Sequence, residues 1–600
     1  MKFPVPAAAA AFAIAAVAAH AEGPSRAIDL ADLGTDAVLR VFGATADGGE
    51  KGVPVAGGFD LDGDGHRDFA VASMLASPSA RSGAGEVFLI FGDGTLAGSL
   101  DTAVPDTRIL RIIGDGAQEA TGSEIWIDDV TGDGLGDLLI ARQNFTPDAA
   151  RIGAGALSIV VGGAALRTLA QQGTVVDLRA PPLELTIATV IGAAVTDRLG
   201  IWVRTGDVTG DGVADIAVGA DQQSIANQRH RGAVYLLRGG AQLAASQTID
   251  LAEFGAEAFP QAAHVARLRP PASATEFHFG ATCQLADLDG NGRAELIAAA
   301  ALARVGALIV ADGAPGNSAH ANGGTTRGSV YIAWAENFAA ASWAGLDLAI
   351  GDAGVVATSI HGGASNKRLG EEIVGGRDFD GDGEADLFLG DLIGALPDRP
   401  INAGLGHLLS GVADLRGASF DLDLPPAALA ITTFSGAIAN EIAADTAIDG
   451  DFDGDGRADL AFSSPHAYPF GRVEAGAMHV FFGRSGAWPA FVDLAEDALP
   501  PASALRVAQV FGAHGAAQFD RGDTLAYSAA AGDLDGDGKT DLILNEMLGN
   551  GPLADDAGNV TVVSGALLAP EPEHGAAAIV AAASIAIAAR LRRRRGGARA

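Results

Sequence analysis

Apolar residues along this chain fall into short runs separated by Gly, Asn and Asp, and no long stretch carries the 3.6-residue period of an amphipathic helix. Seven runs are alike: "FAVAS" (69–73), "LLIAR" (138–142), "IAVGA" (216–220), "LIAAA" (296–300), "LFLGD" (387–391), "LAFSS" (460–464) and "LILNE" (542–546). A second run follows each after a loop of variable length, as in "GEVFLIFG" (85–92), "GAVYLLRGG" (232–240) and "GAMHVFFG" (476–483). A weaker third element comes next: "VDL" at 176, "IDL" at 249, "LDL" at 346, "FDL" at 420, "VDL" at 492 and a degenerate "SLD" at 99. Strand-length runs bounded by turn residues predict antiparallel units of about four strands. Seven such units predict an all-β, seven-bladed β-propeller over residues 28–568. An "IDL" at Ile28–Leu30 precedes the first unit and none follows the last, so the N-terminal strand is expected to complete the last blade and cover its edge.

Immediately before each apolar run stands an acidic nonapeptide, first seen in "FDLDGDGHRDFAV" (59–71). The copies start at Asp60, Asp129, Asp207, Asp287, Asp378, Asp451 and Asp533, spaced by 69, 78, 80, 91, 73 and 82 residues. Positions 4 and 6 are Gly in all seven, as a turn needing positive φ requires. Alternate positions 1, 3 and 5 of such a turn can converge on one point, and position 9 adds a carboxylate as the next strand begins. The candidate side-chain ligands are Asp60, Asp62, Asp64 and Asp68; Asp129, Thr131, Asp133 and Asp137; Asp207, Thr209, Asp211 and Asp215; Asp287, Asp289, Asn291 and Glu295; Asp378, Asp380, Asp382 and Asp386; Asp451, Asp453, Asp455 and Asp459; and Asp533, Asp535, Asp537 and Asp541. The variable position 7 suits a backbone-carbonyl ligand whose side chain points away: His66, Leu135, Val213, Arg293, Glu384, Arg457 and Lys539. Oxygen ligands at this density suit a hard cation, Ca2+ ahead of Mg2+, with up to seven ions and the four-Asp loops tightest. An EF-hand is excluded, because position 12 falls on residues such as Val71, Val218 and Leu544 within an apolar strand.

The units resemble FG-GAP repeats, the modules of the seven-bladed propeller of integrin α subunits. The resemblance is carried by the acidic loops and by "FGAT" at 279, "LG" at 199 and 369 and "TG" at 121 ahead of them. It implies a calcium-stabilised propeller acting as a binding or adhesion module for an extracellular protein or glycan. All seven units carry the loop, whereas integrin propellers carry it in only some blades. Nothing matches the integrin legs or inserted domain, so signalling is not implied.

Composition narrows the remaining choices. A net charge of −35 excludes nucleic acid or an anionic membrane as partner of the main body. The single cysteine, Cys283 in "FGATCQL", excludes an intramolecular disulfide and reads as a buried, inert thiol. Residues 1–21 read as a secretory signal with a small-residue end at Ala19 and Ala21, which predicts export. Residues 570–600 hold Pro-Glu-Pro, a short apolar stretch and an Arg cluster, the order of a PEP-CTERM sorting signal. That resemblance implies an exosortase-type processing enzyme and membrane contact through this segment alone; a basic tail is the alternative.

No metalloprotease, phosphate-loop or serine-hydrolase motif is present, and "HGG" at 361 lacks a nucleophile to serve. "RGD" at 521–523 reads as a chance tripeptide ahead of an inner strand. The loops at 221–232 and 311–328, between second and third strands on the face opposite the acidic turns, are the candidate ligand loops. A carbohydrate-binding lectin and an enzyme centred on the propeller channel, a hydrolase or lyase, remain the alternatives.

Overall fold

The computed structural model describes residues 26–569 apart from 35–37, 44–53, 226–227, 257–263, 273–277, 306–324, 340–342, 344, 496–504, 518–521, 551 and 553–555. The expected signal (1–21) and sorting segment (570–600) lie outside the described residues.

Seven sheets surround one axis, as expected, but each has five strands rather than four. In blade one Val55–Phe59, Asp68–Ser73, Glu86–Ile90 and Ile109–Ile113 run antiparallel from the axis outward, and Val175–Asp177 adds a parallel fifth strand outside them. That fifth strand is the "xDL" element, and it comes from the next unit. After its third strand, each unit crosses to the preceding blade, lays "xDL" on its rim, and returns to form its own fourth strand. Gln247–Asp250 thus closes blade two, Leu346–Ala349 blade three, Ser419–Asp421 blade four and Phe491–Asp493 blade five.

This interleaving corrects the expected closure. The N-terminal "IDL" strand, Arg26–Asp29, completes blade six, where Ile28 lies opposite Val510. Leu39–Phe42 then supplies the fourth strand of blade seven, with Val41 opposite Val560, and Gly98–Asp101 of unit one adds its rim strand. Among the described residues the last unit has no crossing strand and no fourth strand of its own, and Arg26–Asp29 and Leu39–Phe42 take the two places in order.

The invariant Asp of "xDL" has a structural task. Arg81 pairs with Asp177, Arg151 with Asp250 at 2.6 Å, Arg327 with Asp421 at 3.6 Å, Arg399 with Asp493 at 2.5 Å and Arg472 with Asp29 at 2.9 Å. Each arginine belongs to the loop between second and third strands of the blade that receives the strand. Blade three differs: Asp347 meets Arg267 and Arg269, each at 2.8 Å.

Between neighbouring blades the sheets press face to face, which is why the second strand of every blade is buried along its whole length. A strand covered on both faces has no solvent side and reads as a continuous apolar run. The core between blades five and six is the most aromatic, with Phe434 centred among Phe462 and Phe481, both at 5.1 Å, and Phe388 and Trp488, both at 6.1 Å. The residue before each "FG"-type glycine bridges backbones between blades: Thr121, Leu199, Phe279 and Leu369 pair with Gly85, Gly155, Gly232 and Gly328 of the preceding blade. A Cβ on Gly155 would stand 2.3 Å from both the N and the O of Leu199, so this approach excludes any side chain.

Candidate metal centres and the opposite face

All seven acidic turns join the first and second strands of their blades, so they crowd one end of the ring. Gly63 and Gly65 hold φ of +82° and +91°, and this left-handed pair curls the loop around the carboxylate of position 1. Asp60 Oδ1 accepts the Gly63 N–H at 2.7 Å and Oδ2 the Gly65 N–H at 2.8 Å. Asp129, Asp207 and Asp378 repeat this double acceptance.

Position 9 is the deepest of the candidate ligands. Asp68 Oδ2 accepts the Leu61 N–H at 2.7 Å, and Oδ1 accepts that of Gly92, beyond the third strand, at 2.8 Å. Asp137, Asp215, Asp459 and Asp541 make the same pair of bonds, and Glu295 uses its extra methylene to reach Leu288 N at 2.7 Å. Position 5 is exposed throughout, so the carboxylates grade from a buried anchor to an open rim.

Burial raises the position-9 carboxyls: to about 6 for Asp137 and about 7 for Asp68, Asp215, Glu295, Asp386, Asp459 and Asp541. Neighbouring loop carboxylates push the same way, and backbone N–H groups oppose them, joined by the hydroxyls of Thr131 at Asp137 and Ser410 at Asp386. A cation placed among these oxygens would favour their ionised form.

The residues present fit a divalent ion. Carboxylate oxygens come within 4.8 Å of one another for Asp60, Asp62 and Asp68; Asp287, Asp289 and Glu295; Asp378, Asp380 and Asp386; Asp451, Asp453 and Asp459; and Asp533, Asp535 and Asp537. In the four-Asp loops the expected fourth carboxylate stands outside the group: Asp64, Asp382 and Asp455 of position 5 in loops one, five and six, and Asp541 of position 9 in loop seven. Loops two and three, where Thr131 and Thr209 replace a carboxylate, form no such group among the described residues. Buried oxygens without a hydrogen-bond partner remain at Asp62 Oδ2, Thr131 Oγ1, Asp386 Oδ1 and Asp533 Oδ1, and a bound cation would satisfy them.

In four loops position 7 turns its side chain toward the preceding loop, a destination not legible in the sequence, whereas Arg457 keeps Nη1 3.8 Å from Asp455 Oδ2 of its own loop. Leu135, Val213, Arg293 and Lys539 lie against Gly63, Gly132, Gly210 and Gly454, the position-4 glycines of the preceding loops. Arg293 Nε also donates to Val208 O at 2.9 Å, and Lys539 Nζ to Asp453 O at 3.1 Å. Loops one to four therefore touch in series, as do loops six and seven.

At the other end lie the loops between second and third strands. In 221–232 several polar side chains face inward: Asp221 is held by Arg198 and His278, and Gln223 Nε2 donates to Asp197 and Tyr235. The companion candidate at 311–328 falls mostly outside the described residues. Asp523 of "RGD" is 1% exposed and accepts the His514 N–H at 2.7 Å. It occupies the repeat position of Glu119, Asp197 and Glu441, each of which pins the same inter-blade turn through a backbone N–H. Asp523 is thus part of a structural turn. Cys283 is buried and its thiol is pushed up to about 12. His361 is buried against Ser329 Oγ at 2.9 Å, and burial lowers its pKa to about 4.

The first strands enclose an axial cavity of about 1210 Å³. Trp126, Trp202 and Arg204 line it, the guanidinium lying 4.4 and 4.5 Å from the two indoles and 2.5 Å from Glu124. Glu371 and Glu372 also line it, and burial raises their carboxyls to about 7 and about 8.

The FG-GAP repeat family matches residues 199–237, 447–481 and 525–563. Each match covers the first three strands of a blade with its acidic loop, in blades three, six and seven. No curated protein matches the chain.

Proposed function

We propose that this FG-GAP propeller is an exported, surface-associated, calcium-binding module that binds an extracellular protein or glycan without catalysis. The observation that carries this reading is the division between two ends of the ring. One end holds near-uniform acidic loops; the other gathers connections of unlike length that expose Leu75, Ile152, Ile401, Tyr468, Phe470 and Val473. Uniform loops suit a repeated structural ion, and variable apolar loops suit recognition. The three FG-GAP matches support a binding-type module in general.

The termini favour the same orientation. Gly565, just past the last strand, donates to Asp541 Oδ1 at 2.9 Å, so the chain leaves the ring at the acidic end. Arg26 Nη1 donates to Ala569 O at 2.6 Å, which places the first described strand beside it. A tail retained by an exosortase-type route would turn the variable face outward.

The test uses protein lacking residues 1–21 and 570–600, screened on glycan arrays and in pull-downs with and without chelator. Calcium-dependent capture that is lost on substituting Tyr468 and Phe470, but not exposed residues of the acidic face, is expected. Metal analysis that finds no calcium, together with a melting temperature indifferent to chelator, would sink the calcium reading.

A channel-centred hydrolase or lyase is the second reading, favoured by the raised carboxyls of Glu371 and Glu372. Acids held protonated near neutral pH suit proton donation. Turnover of a polysaccharide that Glu372→Gln abolishes would establish it.

A further inference from the structure

In four of the seven loops a side-chain cation already stands against the acidic oxygens. Arg167 lies 3.7 Å from Asp62 Oδ2 in loop one, Arg238 lies 2.7 Å from Asp211 Oδ2 in loop three, and Arg416 and Arg506 pair with Asp289 Oδ2 in loop four and Asp453 Oδ2 in loop six. Among the described residues no ion pair reaches the carboxylates of loops two, five and seven.

Arg416 is the most firmly held of the four. It follows the turn Val412–Leu415 on the segment that crosses from blade five to blade four, and its guanidinium lies 4.3 Å from the Trp334 ring. Its other nitrogen meets Glu336 Oε1 at 2.5 Å, so the fork is fixed on three sides. Asp289 consequently has both oxygens engaged, Oδ2 by Arg416 and Oδ1 by the Asn291 N–H at 3.2 Å.

We propose that Arg416 is a resident counter-cation of loop four, competing with a divalent ion for Asp289. The inference rests on the loops being divalent-cation sites. A metal entering loop four must share or displace the guanidinium, and a fixed positive charge a few ångström away opposes a second one. Loop four then keeps its shape without metal and binds metal more weakly than its ligands alone would. Arg167 and Arg506 place the same opposition at loops one and six, leaving loops five and seven as the four-Asp sites free of it. The ranking by Asp count changes accordingly.

Two tryptophans report on the two classes. Trp334 adjoins loop four, since the next residue, Ala335, donates its N–H to Glu295 Oε1 at 3.4 Å. Trp488 adjoins loop five, its Nε1 donating to Phe379 O at 3.2 Å. Terbium ion, a luminescent stand-in for Ca2+, is titrated into the full chain with tryptophan excitation, and Trp334→Phe and Trp488→Phe assign the emission. The Trp488-dependent signal is expected to saturate at lower terbium than the Trp334-dependent one. Arg416→Gln should lower the Trp334-dependent midpoint roughly tenfold, the size expected from removing one charge near a divalent ion in a solvated loop. Arg416→Lys, which keeps the charge, should stay near the parent, and the Trp488 midpoint should not move in either. An unmoved Trp334 midpoint in folded Arg416→Gln overturns the proposal. Absence of any saturable emission that calcium competes away instead overturns the reading of the loops as metal sites. If Arg416→Gln fails to fold, Arg506→Gln is titrated calorimetrically with Ca2+: one site should tighten, and no tightening overturns the proposal.

Discussion

Two glycines of blade two share a left-handed backbone but differ in what surrounds them, and substituting each with alanine separates backbone strain from blade-to-blade contact. Gly134, in the acidic loop, has φ +90° and no atom within 4 Å of a would-be Cβ. Gly155, before the third strand, has φ +79° and the N and O of Leu199 only 2.3 Å away. An alanine in this conformation costs about 1 to 2 kcal/mol at either site. At Gly155 it must also push back the Leu199 backbone, straining the bonds from Leu199 N to Ala154 O at 3.0 Å and from Gly192 N to Gly155 O at 2.9 Å. Two hydrogen bonds at about 1 kcal/mol each, and about 1 more for overpacking, bring Gly155→Ala to about 4 to 5 kcal/mol. With an unfolding entropy of about 2.1 cal/mol/K per residue over roughly 540 residues, the melting temperature falls about 4 °C for Gly155→Ala and about 1 °C for Gly134→Ala. Scanning calorimetry of both variants in calcium-containing buffer measures the difference. Equal shifts would refute the claim that the Gly155–Leu199 bridge holds adjacent blades together.

Three further outcomes are expected. Without calcium, lowering the pH from about 7.5 to about 5.5 should raise the melting temperature: carboxyls with folded pKa of about 6 to 7, such as Asp68, Asp137 and Asp215, gain protons in the folded state while the unfolded groups, near 3.8, stay ionised. His361, His407 and His479, lowered to about 4, oppose this below about 6.5, but three of them face seven loop carboxyls; a falling melting temperature would contradict the reasoning. Phe434→Ala empties the aromatic core between blades five and six and should cost about 3 to 5 kcal/mol in urea unfolding. Asp523→Ala should lower stability by about 1 to 3 kcal/mol by leaving the His514 N–H unpaired, while soluble RGD peptides should leave ligand capture unchanged.

The blade count, the acidic turns and the face they occupy were legible because each depends on local residues repeated seven times. "FAVAS" and its copies announce doubly covered strands, and the glycines of "DLDGDG" announce a left-handed curl. What sequence could not supply was the partner of each strand. "VDL" at 176 carries the same β signal whether it joins its own blade or the one before, because the deciding contact, Arg81 with Asp177, spans 96 residues. The arginines of this set stand shortly before the glycine that opens the third strand, as in "ARSGAG" and "ARIGAG", so a correlated Arg and Asp was present as a signal. Position 7 was illegible for a related reason: Arg293 and Lys539 serve the neighbouring loop rather than their own.

Because every blade borrows its rim strand, the order in which the chain is made differs from the order in which it can close. Ile28 and Val41 are among the first described residues to be synthesised, yet their strand partners, Val510 and Val560, follow roughly 480 and 520 residues later. Until then both strands have bare edges, which are competent to pair with a second chain. The closing step brings together segments separated by nearly the whole chain, a slow event in a fold already rich in non-local pairing. A chain halted before residue 507 would lack the blade-six partner of Arg26–Asp29 and would leave Leu39–Phe42 paired with Gly98–Asp101 alone, so the final blade is where synthesis, folding and escape from aggregation converge.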